Sequence, residues 1–200
     1  MTTKIHDGQF KAVIRLKPYA FYVDEIYQLE NCLAQKPKRL QLDLTGSGRV
    51  PSDTVLLVQS ILQGRPQEMQ FVTNARSSLH GAAVLIWLLG DVRMIREDAR
   101  LYFASVGEFA ERVITWRERS LCDEDPFEKD DYLKVLRAIN EYLPVRELAD
   151  QPITVPTLRE LGLVDNEAME KLLASASQPT EAPPAKPVAT QESNATQSNG

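Results

Sequence analysis

Ser77, Ser78 and His80 fall within four consecutive residues of "NARSSLHGAAVLIWLLGD", Asn74 to Asp91, just ahead of an apolar run. A polar turn opening an apolar helix suits a nucleophile, because the first N–H groups of a helix lack intrahelical partners and carry partial positive charge. A serine hydroxyl is inert at its own pKa and needs a base within hydrogen-bond reach. The chain has two histidines, His6 and His80. His6 falls in an N-terminal segment expected to be flexible, which leaves His80. That residue is two positions from Ser78, a spacing that does not bring side chains together on a helix but does so in some turns. No lysine stands between Arg39 and Lys129, so a serine–lysine dyad would need a lysine from the N-terminal segment or the later helices. Two readings of this stretch follow. In one, Ser78 performs acyl transfer with His80 as base. In the other, the stretch is a scaffold without chemistry, in which Ser78 caps a helix and His80 is a polar residue near a cleft.

The elements that must position these residues alternate between two periods. "FKAVIRL" is strand-like, and "YVDEIYQLENCLAQ" places Val23, Ile26, Leu29 and Leu33 on one helical face. "RLQLDLTG" alternates with period two and ends in a glycine turn. "SDTVLLVQSILQG" reads as an amphipathic helix, with Ser52 or Asp53 placed to cap it and Gly64 to end it. "EMQFVT" is the next strand, followed by a helix starting near Ser78 to Gly81. "VRMIRED" and "ARLYFAS" read as short strands about an Asp turn. Such strand–helix alternation predicts an α/β fold with a parallel sheet and right-handed crossovers.

The later chain is mostly helical. Ser105 and Glu108 have capping-box spacing for "EFAERVITWRER", and Asp125-Pro126 with Glu128 opens "FEKDDYLKVLRAINEYL". Between them, "CDEDPFEKDD" reads as an acidic helix start, where carboxylates are favoured, and no metal is expected there. "ITVPTLRELGLVDNEAMEKLLA" predicts a strand, a short helix, a glycine turn and a final helix. From about Ser175 the composition is Pro, Ala, Thr, Ser, Gln and Asn with a single valine. Such a segment cannot offset the entropy of ordering, and a disordered tail is expected. The division is therefore 1–9 flexible, 10–174 folded and 175–200 tail, the tail serving to solubilise the chain or to dock a protein partner.

The 200 residues are 43% hydrophobic, enough for one domain with a real core. A formal charge of −5 argues against a general nucleic-acid binder. Cys32 and Cys122 lie far apart in no metal-ligand spacing, as expected for a reduced cytoplasmic protein with no zinc site. The N-terminus lacks the apolar core of a signal peptide, and the uncharged run from Gly81 to Gly90 is about half of the roughly 20 residues that span a bilayer, so no membrane association is expected.

The order of elements resembles the proteolytic subunit of the Clp protease, and more broadly the Clp/crotonase superfamily, over about residues 10 to 172. "LQLDLTGSGRV" stands where that family has a strand and an Asn-Ser-Pro-Gly-Gly turn, and "SSLHGAAVLIWLLGD" at its nucleophile-bearing turn and helix. "REDARLYFASVG" stands at the strand carrying the catalytic histidine, and "LADQPITVPTLRELGLVD" at the segment carrying the aspartate. The resemblance implies a ClpP/crotonase-like parallel sheet with repeated ββα units and a helical handle at roughly residues 105 to 143. It places the aspartate at Asp150, counted back from Gly162, but puts Ala104 where the family has histidine. Counted back from Gly90-Asp91 the nucleophile's position holds Gly81; counted forward from Gly48-Arg49 it holds Ser78. Candidate catalytic residues are thus Ser78, His80 and Asp150, with Gly48, Arg49 and Leu79 as oxyanion-hole candidates. Arg49 replaces the second glycine of the family's turn. Asp150 has a plain alternative as a turn residue or a partner for Arg49 or Arg76.

Three functions follow. The leading expectation is a Clp-like protein without serine peptidase activity, acting as a structural or regulatory subunit in a homo-oligomer or in a mixed ring with related subunits. The second is a serine peptidase with a rearranged Ser/His/Asp site. The third is a crotonase-like acyl-CoA binder or enzyme, for which "HGAAVLIWLLGDVRMIREDARLYF" resembles that branch's Gly-Gly-Gly, apolar helix, Asp-hydrophobic-Arg and Glu-Asp-Ala pattern and Gly81-Ala82-Ala83 offers backbone N–H groups. No resident cofactor is expected. The apolar face of "YLKVLRAINEYL" reads either as core or as packing surface for assembly.

Overall fold

Alternation along Gln9–Leu16 and Arg39–Gly46 turns Phe10, Ala12, Ile14 and Leu16, with Leu40, Leu42 and Leu44, onto one buried face. These are strands β2 and β3 of a computed structural model that describes residues 3–6, 9–16, 22–46, 50–105, 107 and 127–164. They pair in parallel from Gln9↔Arg39 to Leu16↔Gly46. Strand β4 (Gln70–Ala75) pairs in parallel with β3 and adds Phe71, Thr73 and Ala75 to the same face. Thr3–His6, expected to be flexible, instead forms β1, antiparallel to β2 at the sheet margin.

Parallel pairing requires a crossover between neighbours. Helix α1 (Val23–Ala34) joins β2 to β3, and α2 (Ser52–Gln63) joins β3 to β4. Val23 was expected on the apolar face of α1 but is exposed; Tyr22, Leu29 and Cys32 are buried there, with Ile26 and Leu33 packed beside them. Helix α2 is preceded by Pro51 and has no side-chain cap, because Ser52 is its first residue and is buried. Its C-terminal Gly64 has φ −81°, so it ends the helix without a left-handed turn.

Beyond β4 the chain makes a short strand β5 (Leu79–His80), helix α3 (Ala83–Leu88) and strand β6 (Val92–Ile95). The predicted helix near Ser78 to Gly81 therefore begins later, and Leu79–His80 is extended. Strand β6 pairs in parallel with β4, giving the sheet order β1-β2-β3-β4-β6. Strand β7 (Leu101–Tyr102) pairs in parallel with β5 in a separate two-stranded sheet, and Leu101 also bridges antiparallel to Ile153.

Helix α4 (Phe127–Ile139) packs on α2 and α3 and buries Tyr132, Val135, Leu136, Ala138 and Ile139. The apolar face of "YLKVLRAINEYL" is thus core of the single subunit, and its alternative use as an assembly surface is set aside. Each buried aliphatic of this kind contributes roughly 1.5–3 kcal/mol. Short helices α5 (Val145–Leu148) and α6 (Val155–Glu160) complete the described chain. Thr154 caps α6 by accepting from the Thr157 N–H, with Pro156 in its first turn. Arg159 makes a two-pronged ion pair with Glu97, at 3.0 and 2.7 Å, which ties α6 to the turn before β7. The predicted helix of "EFAERVITWRER", residues 122–126 of the acidic stretch, the segment after Val164 and the tail lie outside the described residues.

Candidate functional site

Three backbone segments lie side by side in the small sheet: the turn into α3, strand β7 with its continuation to Ser105, and residues 150–153. Register fixes what stands level with what. The Leu79 N–H donates to the Arg100 carbonyl at 2.9 Å, and the Gly81 N–H to the Tyr102 carbonyl at 2.8 Å. On the other side, Leu101 and Ile153 exchange N–H···O bonds at 3.0 and 2.8 Å, and the Asp150 N–H donates to the Phe103 carbonyl at 3.0 Å.

Ser78 stands at one end of this strip. Its Oγ accepts the Arg100 N–H at 3.0 Å, which stitches the start of β5 to the turn before β7. Ser77 is engaged elsewhere, its Oγ donating to the Gly46 carbonyl at 2.6 Å. His80 stands level with Tyr102, exposed, with ring centroids 6.2 Å apart and planes tilted by 47°.

Asp150 stands at the other end. It adopts a left-handed backbone, φ +65°, and its Oδ1 accepts the Ser105 N–H at 2.6 Å. Asp150 therefore grips the chain on both sides of Ala104, through Phe103 and Ser105. The hydroxyl of Tyr132, from α4, donates to the Ala104 carbonyl at 2.8 Å, so three contacts hold residues 103–105. Ala104 itself is buried. Tyr132→Phe is expected to lower stability by about 0.5–1.5 kcal/mol through loss of that bond, read from urea denaturation with an unchanged slope.

The strip brings Asp150 to Ala104 but not to Ser78. At about 3.3 Å per residue, the roughly four residues from Arg100 to Ala104 put Ser78 and Asp150 about 13 Å apart along the strand. The residue at the Ala104 end is Gly81. Its φ of +60° favours glycine, and a Cβ there would meet nothing within 4 Å. The two ways of counting the nucleophile's position are therefore distinct places in the fold, and the backward count from Gly90-Asp91 gives the one nearer Ala104, where the register continues to Phe103. Of the oxyanion-hole candidates, Leu79 is buried with its N–H committed to Arg100, while Gly48 and Arg49 lie outside the described residues. Among the described residues no group of three or more His, Cys, Asp or Glu is arranged to hold a metal ion. No helix is long and apolar enough to cross a membrane.

Sequence reasoning passed over a second polar cluster. Asp43, on β3, has a side chain only 3% exposed and lies on the sheet face opposite the helices. Its Oδ2 meets Lys11 Nζ at 3.0 Å and Arg76 Nε at 2.7 Å; its Oδ1 accepts from Gln41 at 2.8 Å and Asn74 at 3.1 Å. Burial pushes the carboxyl pKa up, but the hydrogen bonds from Gln41 and Lys11 and the charges of Lys11 and Arg76 together hold it below the ordinary value. The signal lay in polar residues at alternate positions of neighbouring strands, Lys11 level with Gln41 and Asp43 level with Asn74.

Comparison with solved structures bears on the whole arrangement. A protein described as an enoyl-CoA hydratase/isomerase from Mycobacterium abscessus superposes with a TM-score of 0.55 at 15% identity, over 88% of this chain and 75% of that one. A ClpP1 variant from Listeria monocytogenes superposes with a TM-score of 0.54 at 12% identity, over 77% and 88%. The fold is the ClpP/crotonase fold. A monofunctional enoyl-CoA isomerase from Mycobacterium smegmatis shares it, with a TM-score of 0.53 at 14% identity over 89% and 83% of the two chains. No family model matches the chain, and no curated protein matches it in sequence. At these identities the ClpP/crotonase likeness speaks for the fold alone.

Proposed function

We propose that this chain is a ClpP/crotonase-fold subunit that lacks serine peptidase activity and works by assembling with copies of itself or with related subunits. The observation that carries the reading is the residue held between Asp150 and Tyr132: it is Ala104, buried and without a titratable group. Gly81 and Ala104 stand at the end of the strip where a nucleophile and base would be oriented by Asp150. The Asp150 carboxylate accepts a backbone N–H there, which suits a structural role. Ser78 lies at the far end and accepts the Arg100 N–H. Acyl transfer needs nucleophile, base and orienting group within successive hydrogen-bond reach, and the spacing from Ser78 to Asp150 works against it.

Assembly is the part of the reading that the resemblance to Clp subunits supplies. With the apolar face of α4 used inside the subunit, the contact surface is sought on the outer helices. Val23 and Tyr27 on α1 are 54% and 61% exposed, and Leu57 on α2 is 47% exposed.

The test combines two measurements on purified full-length protein. Intact-mass analysis after a fluorophosphonate probe is expected to show no adduct under conditions that label an active Clp subunit. Light scattering after size exclusion is expected to show a mass above that of one chain. A single adduct abolished by both Ser78→Ala and His80→Ala would establish the rearranged hydrolase instead. A monomeric mass together with saturable acyl-CoA affinity would shift the assignment to a crotonase-like binder.

A further inference from the structure

The sheet face opposite the helices carries more positive charge than it balances. Parallel register sets Arg15 of β2 beside Thr45 of β3, and the Arg76 N–H donates to the Leu44 carbonyl at 2.9 Å, which continues β4 alongside Thr45. Arg15, Thr45 and Arg76 therefore form one row across three strands, on the face that also bears Asp43. Neighbouring strands lie about 4.8 Å apart, so the two arginine backbones are about 10 Å apart with a threonine between them. An arginine side chain is long enough to span half of that distance, so a ligand above Thr45 lies within range of both.

The charges decide what belongs there. Lys11 and Arg76 share one oxygen of a single carboxylate, Asp43. Among the described residues no ion pair engages Arg15, which is exposed. Within this cluster of described residues, Lys11, Arg15 and Arg76 thus stand against one anion, Asp43, on a chain whose formal net charge is −5. Arg76 is not loosely placed: Asp43 fixes its Nε, and Asn74 and Gln41 in turn fix Asp43, while the arginine side chain stays 52% exposed. Its Nη donors are left for a second partner. The row lies at the carboxyl ends of parallel strands, where open α/β sheets place ligands.

We propose that Arg15, Thr45 and Arg76 form a binding site for a phosphoryl dianion, with Lys11 and Asp43 as its supporting layer. A tetrahedral phosphoryl group offers oxygens on opposite sides to the two guanidinium forks and another to the Thr45 hydroxyl. Its charge matches the local surplus. The proposal is independent of whether the chain assembles and of the fate of the candidate catalytic residues.

Isothermal titration of full-length protein with inorganic phosphate, at ionic strength held constant with chloride, tests the site. A parallel titration with phenyl phosphate distinguishes free phosphate from a phosphate ester: equal affinity marks the isolated ion as ligand, and tighter ester binding marks a phosphorylated molecule. Arg15→Gln is the key variant, because this side chain is exposed and, among the described residues, no ion pair engages it. At least tenfold weaker binding in Arg15→Gln, and a smaller loss in Thr45→Val, is expected. Absence of binding by the unaltered protein, or affinity in Arg15→Gln within twofold of it, would overturn the proposal.

Discussion

Trp87→Ala is expected to destabilise the protein by about 3–5 kcal/mol, the largest effect of any single substitution considered for it. Trp87 is fully buried near the C-terminal end of α3, and hydrogen bonds tie it to two strands. Its Nε1–H donates to the Met94 carbonyl of β6 at 2.8 Å, while its own carbonyl accepts the Thr73 hydroxyl of β4 at 2.7 Å. Truncation removes the ring's dispersion contacts and leaves a cavity between helix and sheet, which a close-packed interior fills only in part. It also strips the Met94 carbonyl of its side-chain donor. Domains of this size are stable by about 5–15 kcal/mol, so the loss consumes much of the margin. Urea denaturation followed by far-ultraviolet circular dichroism measures it. Trp87→Phe separates the two causes, because it keeps most of the volume and deletes only the N–H. A loss below about 1 kcal/mol for the alanine variant would show that the site collapses without cost, contrary to the packing described.

Acid is expected to act through Asp43. Its carboxyl pKa is lowered in the folded protein, so the folded state binds the proton less readily than the unfolded chain does. The stabilisation is therefore complete above the ordinary carboxylate pKa of about 4 and is lost progressively as pH falls through the lower folded value. Asp43→Ala is expected to cost about 1–3 kcal/mol at pH 7, less than for a fully enclosed ion pair. The reason is that Lys11 and Arg76 retain 30% and 52% exposure and regain water when the carboxylate goes. The gap between variant and native protein is expected to narrow below about pH 4, as the native carboxyl itself is neutralised. Urea midpoints measured from pH 2.5 to 8 give both curves. A gap that stays constant over that range would mean that the charge of Asp43 contributes nothing beyond its shape.

Much of the fold was legible because the alternation in "FKAVIRL", "RLQLDLTG" and "EMQFVT" is local, and β2, β3 and β4 lie where that period puts them. Helix α2 occupies its predicted span for the same reason. Period fails where neighbours decide. Val23 fits the apolar face of α1 by spacing, yet among the described residues it is exposed, and Tyr22 is buried in its stead. Leu79–His80 is extended because β7 supplies a partner, which no local pattern announces.

For the candidate site, the sequence names residues but not their contacts. Counting from Gly162 points to Asp150 as a candidate, and the resemblance marks Ala104. What Asp150 does depends on a hydrogen bond to a residue 45 positions away, and the Tyr132 contact to Ala104 spans 28. Such contacts come from tertiary packing and have no local signature. Asp43 was missed for the opposite reason: in "RLQLDLTG" a polar residue at an alternate position reads as solvent-facing, whereas its neighbours on β2 and β4 enclose it.

The sheet order β1-β2-β3-β4-β6 also constrains how the molecule comes into being. Only β1 and β2 join through a tight connection, and they sit at the margin. Every parallel partner must wait for an intervening helix to be made and swung across before its ladder closes. Loop-closure entropy is thus spent before long-range contacts return anything, which places the chain among the slower folders for its length. The interval matters most for β3, whose Leu40, Leu42 and Leu44 end up fully buried and are exposed on a nascent chain until β4 arrives.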